Sequence, residues 1–295
     1  MTRMDRRALF TSGAAAALLS ASGLSLDAAP RAGGCLRLAV PRDDDSLAVV
    51  ARGAVFDTLT EIAPDGVLRG ELATRWHGSA DARVWLFDLR DDVVFHDGRT
   101  FSAQDVAASF VAADGPALAD VAAVEAISPL QLRLELKAGT PDLPYLLANP
   151  ALIVAPGGKI DQPLPEAVGT GRYRVERAQP GRQFLGRKVD GHYKDGRAGW
   201  ADSIEVIVIP DAAVRAEALR DGYVDVAALP LPGGLLGRGD FVFHPSVQDM
   251  ALAAHRGVGV PRVIGTQTAL DDGRIAERWW KGRVHPLQTQ PTPSI

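Results

Sequence analysis

The chain has 295 residues, 46% of them hydrophobic, so a substantial core can form, and its length leaves room for one or two domains. Its formal charge of −4 argues against a general surface for nucleic acid or anionic membrane. A single cysteine, Cys35, excludes an intramolecular disulfide.

The first 29 residues have the order of an export signal. Arg6-Arg7 is followed by an apolar, Ala-rich run from Ala14 to Leu26, and small residues Ala28 and Ala29 precede Pro30. The paired arginines point to the twin-arginine route. The run is too short to span a bilayer core, which takes about 20 apolar residues. Residues 1–29 are therefore expected to be a Tat-type signal peptide and the protein to be periplasmic. Lipidation at Cys35 is not expected, because Ala32-Gly33-Gly34 lacks the leucine usual before a lipidated cysteine.

Leu36 to Val40 alternates as a short strand, broken by Pro41 and the acidic run Asp43-Asp44-Asp45. Val49 to Leu59 has helical apolar spacing, and Ala63-Pro64-Asp65-Gly66 marks a turn. Val84 to Leu89 is β-rich. Ser102-Ala103-Gln104-Asp105 is a capping box that opens a helix carrying Val106 and Phe110. Leu132, Leu134 and Leu136 alternate with Arg133 and Glu135 in a half-buried strand, and the Gly/Pro-rich stretch from Pro156 to Pro165 is a connector. Tyr173–Glu176 and Phe184–Val189 flank Pro180-Gly181 as a hairpin. Ile204 to Ile209 reads as a buried strand. Asp211 caps a helix over Ala212–Arg220, and Val224 to Ala227 is the next strand. Strand, helix, strand is a βαβ unit, which makes the class α/β with an at least partly parallel sheet. Farther on, Met250–Ala254 and Arg274–Lys281 (with Trp279-Trp280) are expected as short helices, and 288–295 as a disordered tail.

No catalytic motif competes for the chain. There is no G-x-S-x-G elbow, and Gly157-Gly158-Lys159 lacks the hydroxyl residue of a P-loop. Gly169-Thr170-Gly171 has Arg174 where a dinucleotide fingerprint needs glycine, so it reads as a tight turn. The six histidines are dispersed without metal-ligand spacing. No catalytic residue, metal site or cofactor is expected, and a periplasmic hydrolase finds no nucleophile–base pair.

A set of short motifs, in order, carries a resemblance. Val55-Phe56-Asp57-Thr58-Leu59 looks like "VYEPL", Pro64-Asp65-Gly66 like the turn after it, and Leu72-Ala73 through Trp76 like "LAxxW". Phe87 through Phe95 resembles "FxLRdgvkF", and Phe101 to Val106 "fxAeDV". Gly169-Thr170-Gly171-Arg172-Tyr173 is similar to "GTGPY", with arginine for proline. Ile209-Pro210-Asp211 and Gly222-Tyr223-Val224-Asp225 are similar to "vIPD" and "GeiD". Together they resemble the family 5 extracytoplasmic solute-binding proteins, the oligopeptide, dipeptide and nickel-chelate receptors of ABC importers.

The resemblance implies a periplasmic-binding-protein-like fold (type II, cluster C-like). Its first lobe has a mixed sheet and an inserted subdomain, and its second lobe is truncated. The expected divisions are 34–46 with 166–240 as the main α/β lobe, 47–165 as the inserted α+β subdomain, and 241–287 as a reduced C-terminal region. It implies binding of peptides or similar small solutes and presentation to permease subunits in the inner membrane by a monomer, without bond chemistry. The loop Asp43, Asp44, Asp45, Ser46 faces the cleft in such proteins. Asn149 stands where nickel-chelate receptors place a cleft arginine, which exchanges a fixed charge for neutral hydrogen bonds. Beyond Leu229 no "RxAlnyAiD" helix follows. A degenerate scaffold module that no longer binds transported solute is therefore the alternative.

Overall fold

The structure, a computed structural model, describes residues 33–42, 45–62, 67–113, 118–196, 198–230, 235, 241–244 and 251–255. In chain order the elements are β1 (Cys35–Val40), α1 (Ser46–Val55), β2 (Thr60–Ile62), β3 (Leu68–Gly70), β4 (Ala73–Gly78), β5 (Val84–Leu89), α2 (Ala103–Ala112), β6 (Val121–Ser128), β7 (Gln131–Leu136) and the one-turn α3 (Leu143–Leu146). After two 3₁₀ turns come β8 (Tyr173–Gln179), β9 (Gln183–Lys188), β10 (Ser203–Val208), α4 (Ala212–Arg220), β11 (Val226–Leu229), β12 (Phe241–His244) and β13 (Ala251–His255).

The large sheet has the order β12-β13-β11-β1-β10-β9-β8. The strand β1 lies at its centre, parallel to β10 on one side and to β11 on the other. The flanking pairs are antiparallel, so the sheet is mixed. Both faces are covered toward the carboxyl ends, which is why Leu38–Val40, Val206–Val208 and Val226–Leu229 read as apolar runs, while Arg37 and Glu205 make the amino halves of β1 and β10 alternate. On one face Leu36, Leu38, Val40, Ile204, Val206 and Phe184 pack against α1. That helix presents Leu47, Val50, Ala51, Ala54 and Val55, the i, i+3, i+4, i+7, i+8 stripe of a core-facing helix. On the other face Ala39, Ala227 and Leu229 meet Leu219 and Ala216 of α4.

The segment from Asp57 to Val154 builds its own core on a four-stranded antiparallel sheet, β4-β5-β7-β6, with α2 packed on it. Leu132, Leu134 and Leu136 point inward together with Phe87, Phe101 and Phe110. The capping box forms, and the Asp105 carboxylate accepts from the Ser102 N–H at 3.0 Å.

Two sequence expectations change. The helix α1 was grouped with the inserted segment from residue 47, yet its apolar stripe lies in the core of the large sheet, so it packs with β1 and its neighbours. Ala251–Ala254, expected as helix, lies in strand β13, paired antiparallel with β11 and β12. Local Ala-rich composition favours a helix, but the open edge of β11 supplies hydrogen-bond partners that override it. The expected signal peptide, the Trp279-Trp280 helix and the 288–295 tail lie outside the described residues.

Candidate functional site

The three parallel strands end together at Val40, Val208 and Leu229. From β1 the chain turns to the α1 face, and from β10 to the opposite, α4 face. Adjacent parallel strands whose connections leave to opposite faces open a crevice at their carboxyl ends, where ligands of open α/β sheets bind. Here that position is the carboxyl edge of β1 and β10, flanked among the described residues by Pro41, Arg42 and Asp45 on one side and Ile209-Pro210-Asp211 on the other.

The edge is held firmly. The Ile209 N–H donates to the Val40 carbonyl at 2.9 Å. Arg215, 3% exposed, donates from Nε to the Ala228 carbonyl at 2.6 Å and from Nη1 to the Ile209 and Pro210 carbonyls at 2.5 and 2.9 Å. One buried guanidinium thus ties the ends of β10 and β11. Sequence reasoning missed Arg215, because nothing in its helical spacing separates it from a surface arginine.

Of the sequence-proposed site residues, Asp45 and Ser46 stand at this edge, at the start of α1. Asp45 occupies the N-cap position but makes no side-chain cap hydrogen bond. It is exposed, and its carboxylate is engaged by no other group among the described residues. Ser46 is buried. By contrast, the Asp211 carboxylate is spent on its helix, accepting from the N–H groups of Ala213 at 2.7 Å and Val214 at 3.2 Å. Asp43 and Asp44 lie outside the described residues. Asn149 sits apart, in the turn after α3. Its Oδ1 accepts from the Ala151 N–H at 2.9 Å and its backbone bonds to Leu146 and Leu152, so its hydrogen bonds are all local.

A buried polar joint fastens the small subdomain to the opposite, amino edge of the large sheet. Lys194 Nζ, 8% exposed in its side chain, lies 2.8 Å from Glu71 and 3.0 Å from Glu61. Glu71, fully buried, also accepts from the N–H and hydroxyl of Thr58 at 2.9 and 2.7 Å. His192 Nδ1 accepts from the Lys194 N–H at 3.1 Å, which places its proton on Nε2, 2.9 Å from the Thr170 carbonyl. The Thr170 hydroxyl in turn donates to Asp57 at 3.1 Å. His96 Nε2 contacts the Gly171 carbonyl at 2.7 Å, and the His96 backbone N–H donates to the Gly169 carbonyl at 2.9 Å. Burial pushes the His96 imidazole below its ordinary value of 6.5. Two histidines thus grip consecutive carbonyls of one short segment. Asp57 and His192, 3.9 Å apart, resemble an acid–base pair, but their hydrogen bonds run to the backbone and to Thr170.

Arg172, which replaces the proline of the resembling motif, is 4% exposed in its side chain and pairs with Asp195 at 2.5 Å. Gly199, at φ +73°, makes room for its aliphatic stem. Among the described residues no group of three or more His, Cys, Asp or Glu is arranged to hold a metal ion, and no helix is long and apolar enough to cross a membrane.

A family model described as bacterial extracellular solute-binding proteins, family 5, middle region, matches residues 67–236. The nickel-binding periplasmic protein of Escherichia coli K12 is 27% identical over 192 residues, covering 60% of this chain and 36% of that protein. An HTH-type transcriptional regulator, SgrR of Pectobacterium atrosepticum, is 30% identical over 165 residues, 53% of this chain and 28% of the regulator. The ABC transporter-associated periplasmic binding protein DppA of Helicobacter pylori, solved with the peptide STSA, superposes with a TM-score of 0.63. It is 24% identical, over 73% of this chain and 51% of that one, and shows the shared fold. This chain therefore spans about a third of the length of these curated relatives.

Proposed function

We propose that this chain, which belongs to the bacterial extracellular solute-binding proteins of family 5, is the periplasmic substrate-binding component of an ABC importer. The observation that carries the reading is the family match over residues 67–236, which takes in both the small subdomain and most of the large sheet. The crevice between β1 and β10 supplies the place. Of the residues named from the sequence, Asp45 is exposed at this edge and offers a carboxylate to the ammonium group of a peptide or similar small solute. We extend that role to its neighbours Asp43 and Asp44, whereas Ser46 is buried and Asn149 stands apart from the crevice. The mechanism is binding and hand-over to permease subunits in the inner membrane by a monomer. It uses no bond chemistry, cofactor or nucleic acid.

The test is a thermal-shift screen of residues 30–295 against di- and oligopeptides, amines and nickel chelates. A true ligand at a hundredfold its dissociation constant adds about 2.7 kcal/mol to stability. The Asp45→Ala variant should keep its melting temperature and lose most of the ligand-induced rise. A cooperative melt that no compound moves would sink the importer reading. A second reading has one observation in its favour, the likeness to a transcriptional regulator: a binding module serving something other than transport. It predicts capture of a protein partner from periplasmic extract without solute dependence.

A further inference from the structure

A cavity of about 290 Å³ opens where the start of β8, the end of β9 and the 92–98 turn of the subdomain meet. It lies at the amino edge of the large sheet. Lys188 follows Arg187, which pairs with Ser203 at the start of β10, so the cavity is at the far end of the strands from the β1/β10 crevice. At about 30 Å³ per water it has room for roughly ten water-sized groups.

Its lining contains an exposed cation with no contact ion pair. The Arg174 side chain makes no ion pair or hydrogen bond with any described residue and acts on Glu176 and His96 only through space. The nearby Glu176 is held by Arg187 at 2.8 and 3.1 Å, and strand pairing sets Arg174 beside Arg187 itself. A second cation, Lys188, has only a long contact, 3.7 Å, with Asp202. The His96 Nδ1 is buried behind this lining with no hydrogen-bond partner and is not offered to a ligand. Beside these polar groups stand Val189 and Val94, the latter 59% exposed. The acidic groups of the lining bound the charge that fits. Asp92 lies 3.6 Å from Arg90, and Asp190 is exposed at the rim. With Asp92 taken up by Arg90, the two cations Arg174 and Lys188 stand against the one acid Asp190, a balance that suits a single negative charge better than a phosphate dianion.

We propose that this cavity is a second binding site, for a small aliphatic carboxylate anchored on Arg174, with its apolar body on Val94 and Val189. A guanidinium matches a carboxylate bidentately, which makes Arg174 the anchor and Lys188 an auxiliary charge. Two of the cavity's walls, around His96 and His192, also grip the 169–171 segment, so occupancy would be felt at the joint between subdomain and sheet.

The test is a ¹⁵N–¹H NMR titration with sodium propionate at constant ionic strength, and with propionamide as the uncharged analogue. Saturable shifts confined to amides of 92–98, 170–174 and 188–193 are expected with propionate. The amide should bind roughly tenfold more weakly or not at all. Arg174→Gln should weaken propionate by roughly tenfold or more, whereas Arg177→Gln, on the same strand but outside the lining, should not. Non-saturable shifts, equal binding of propionamide, or undiminished binding by R174Q would overturn the proposal. The comparison of acid with amide uses the unaltered protein, so it decides even if R174Q fails to fold. None of these outcomes depends on whether the β1/β10 crevice binds solute.

Discussion

At the scale of single residues, the buried joint makes two predictions. Glu71 satisfies Lys194 and both the N–H and hydroxyl of Thr58 from a fully buried position. Removing one partner of a buried pair leaves the other uncompensated, so Glu71→Ala should cost about 3 kcal/mol in urea denaturation, even with Glu61 still at hand. A loss under about 1 kcal/mol would mean that water relieves the site. His96 predicts a pH dependence. Burial holds its pKa below 6.5, against the opposing pull of its Gly171 bond and of Asp57, with Arg174 adding to the lowering and Asp97 opposing it. The unfolded chain therefore binds the proton more readily than the folded one. The stabilising contribution is present above about pH 6.5 and is lost as pH falls below it. Melting temperatures between pH 7.5 and 5.5 should fall more steeply for the native protein than for His96→Gln, whose amide keeps a donor for Gly171 but does not titrate.

At the scale of elements, the Gly169-Thr170-Gly171 segment behaves as a packing surface as much as a turn. The Gly171 N–H donates to the Val55 carbonyl at 2.8 Å, and a Cβ at either glycine would overlap the backbone at the end of α1. Gly171→Ala should therefore destabilise by about 1–3 kcal/mol, the range for overpacking. A neutral result in chemical denaturation would show that α1 can shift. This segment also shows what was legible in the sequence. Its glycines could be recognised as backbone constraints, and strands such as β7, with alternating Leu132, Leu134 and Leu136, declare themselves by period. So do the hairpin at Gly181 and the caps at Ser102 and Asp211, because all are local. Strand β13 was not legible, since its strand state comes from the edge of β11 rather than from Ala251–Ala254. The grip of His96 and His192 on Gly171 and Thr170 was equally hidden: both histidines are distant in sequence from their function or masked within a turn. At the crevice, the acidic loop was proposed from resemblance, and of its three aspartates only Asp45 lies among the described residues, whereas Arg215 needed the topology that places α4 across the ends of β10 and β11.

At the scale of the whole molecule, the placement of β1 governs how the protein is assembled. The strand at the centre of the large sheet comes from residues 35–40, but its two neighbours come from 203–208 and 226–229. The small sheet, by contrast, closes entirely within residues 73–136. Loop-closure entropy delays long-range strand pairing, so the small sheet should form first on refolding. Pulse-labelled hydrogen exchange should protect amides of β5 and β7 before those of β1. Simultaneous protection would refute this order. In a chain emerging from synthesis, β1 must then wait with both edges bare until residue 208 arrives, and with one edge bare until residue 229. During that interval it is a template for pairing with other chains. The sheet order thus creates an early vulnerability to aggregation that the finished molecule no longer shows.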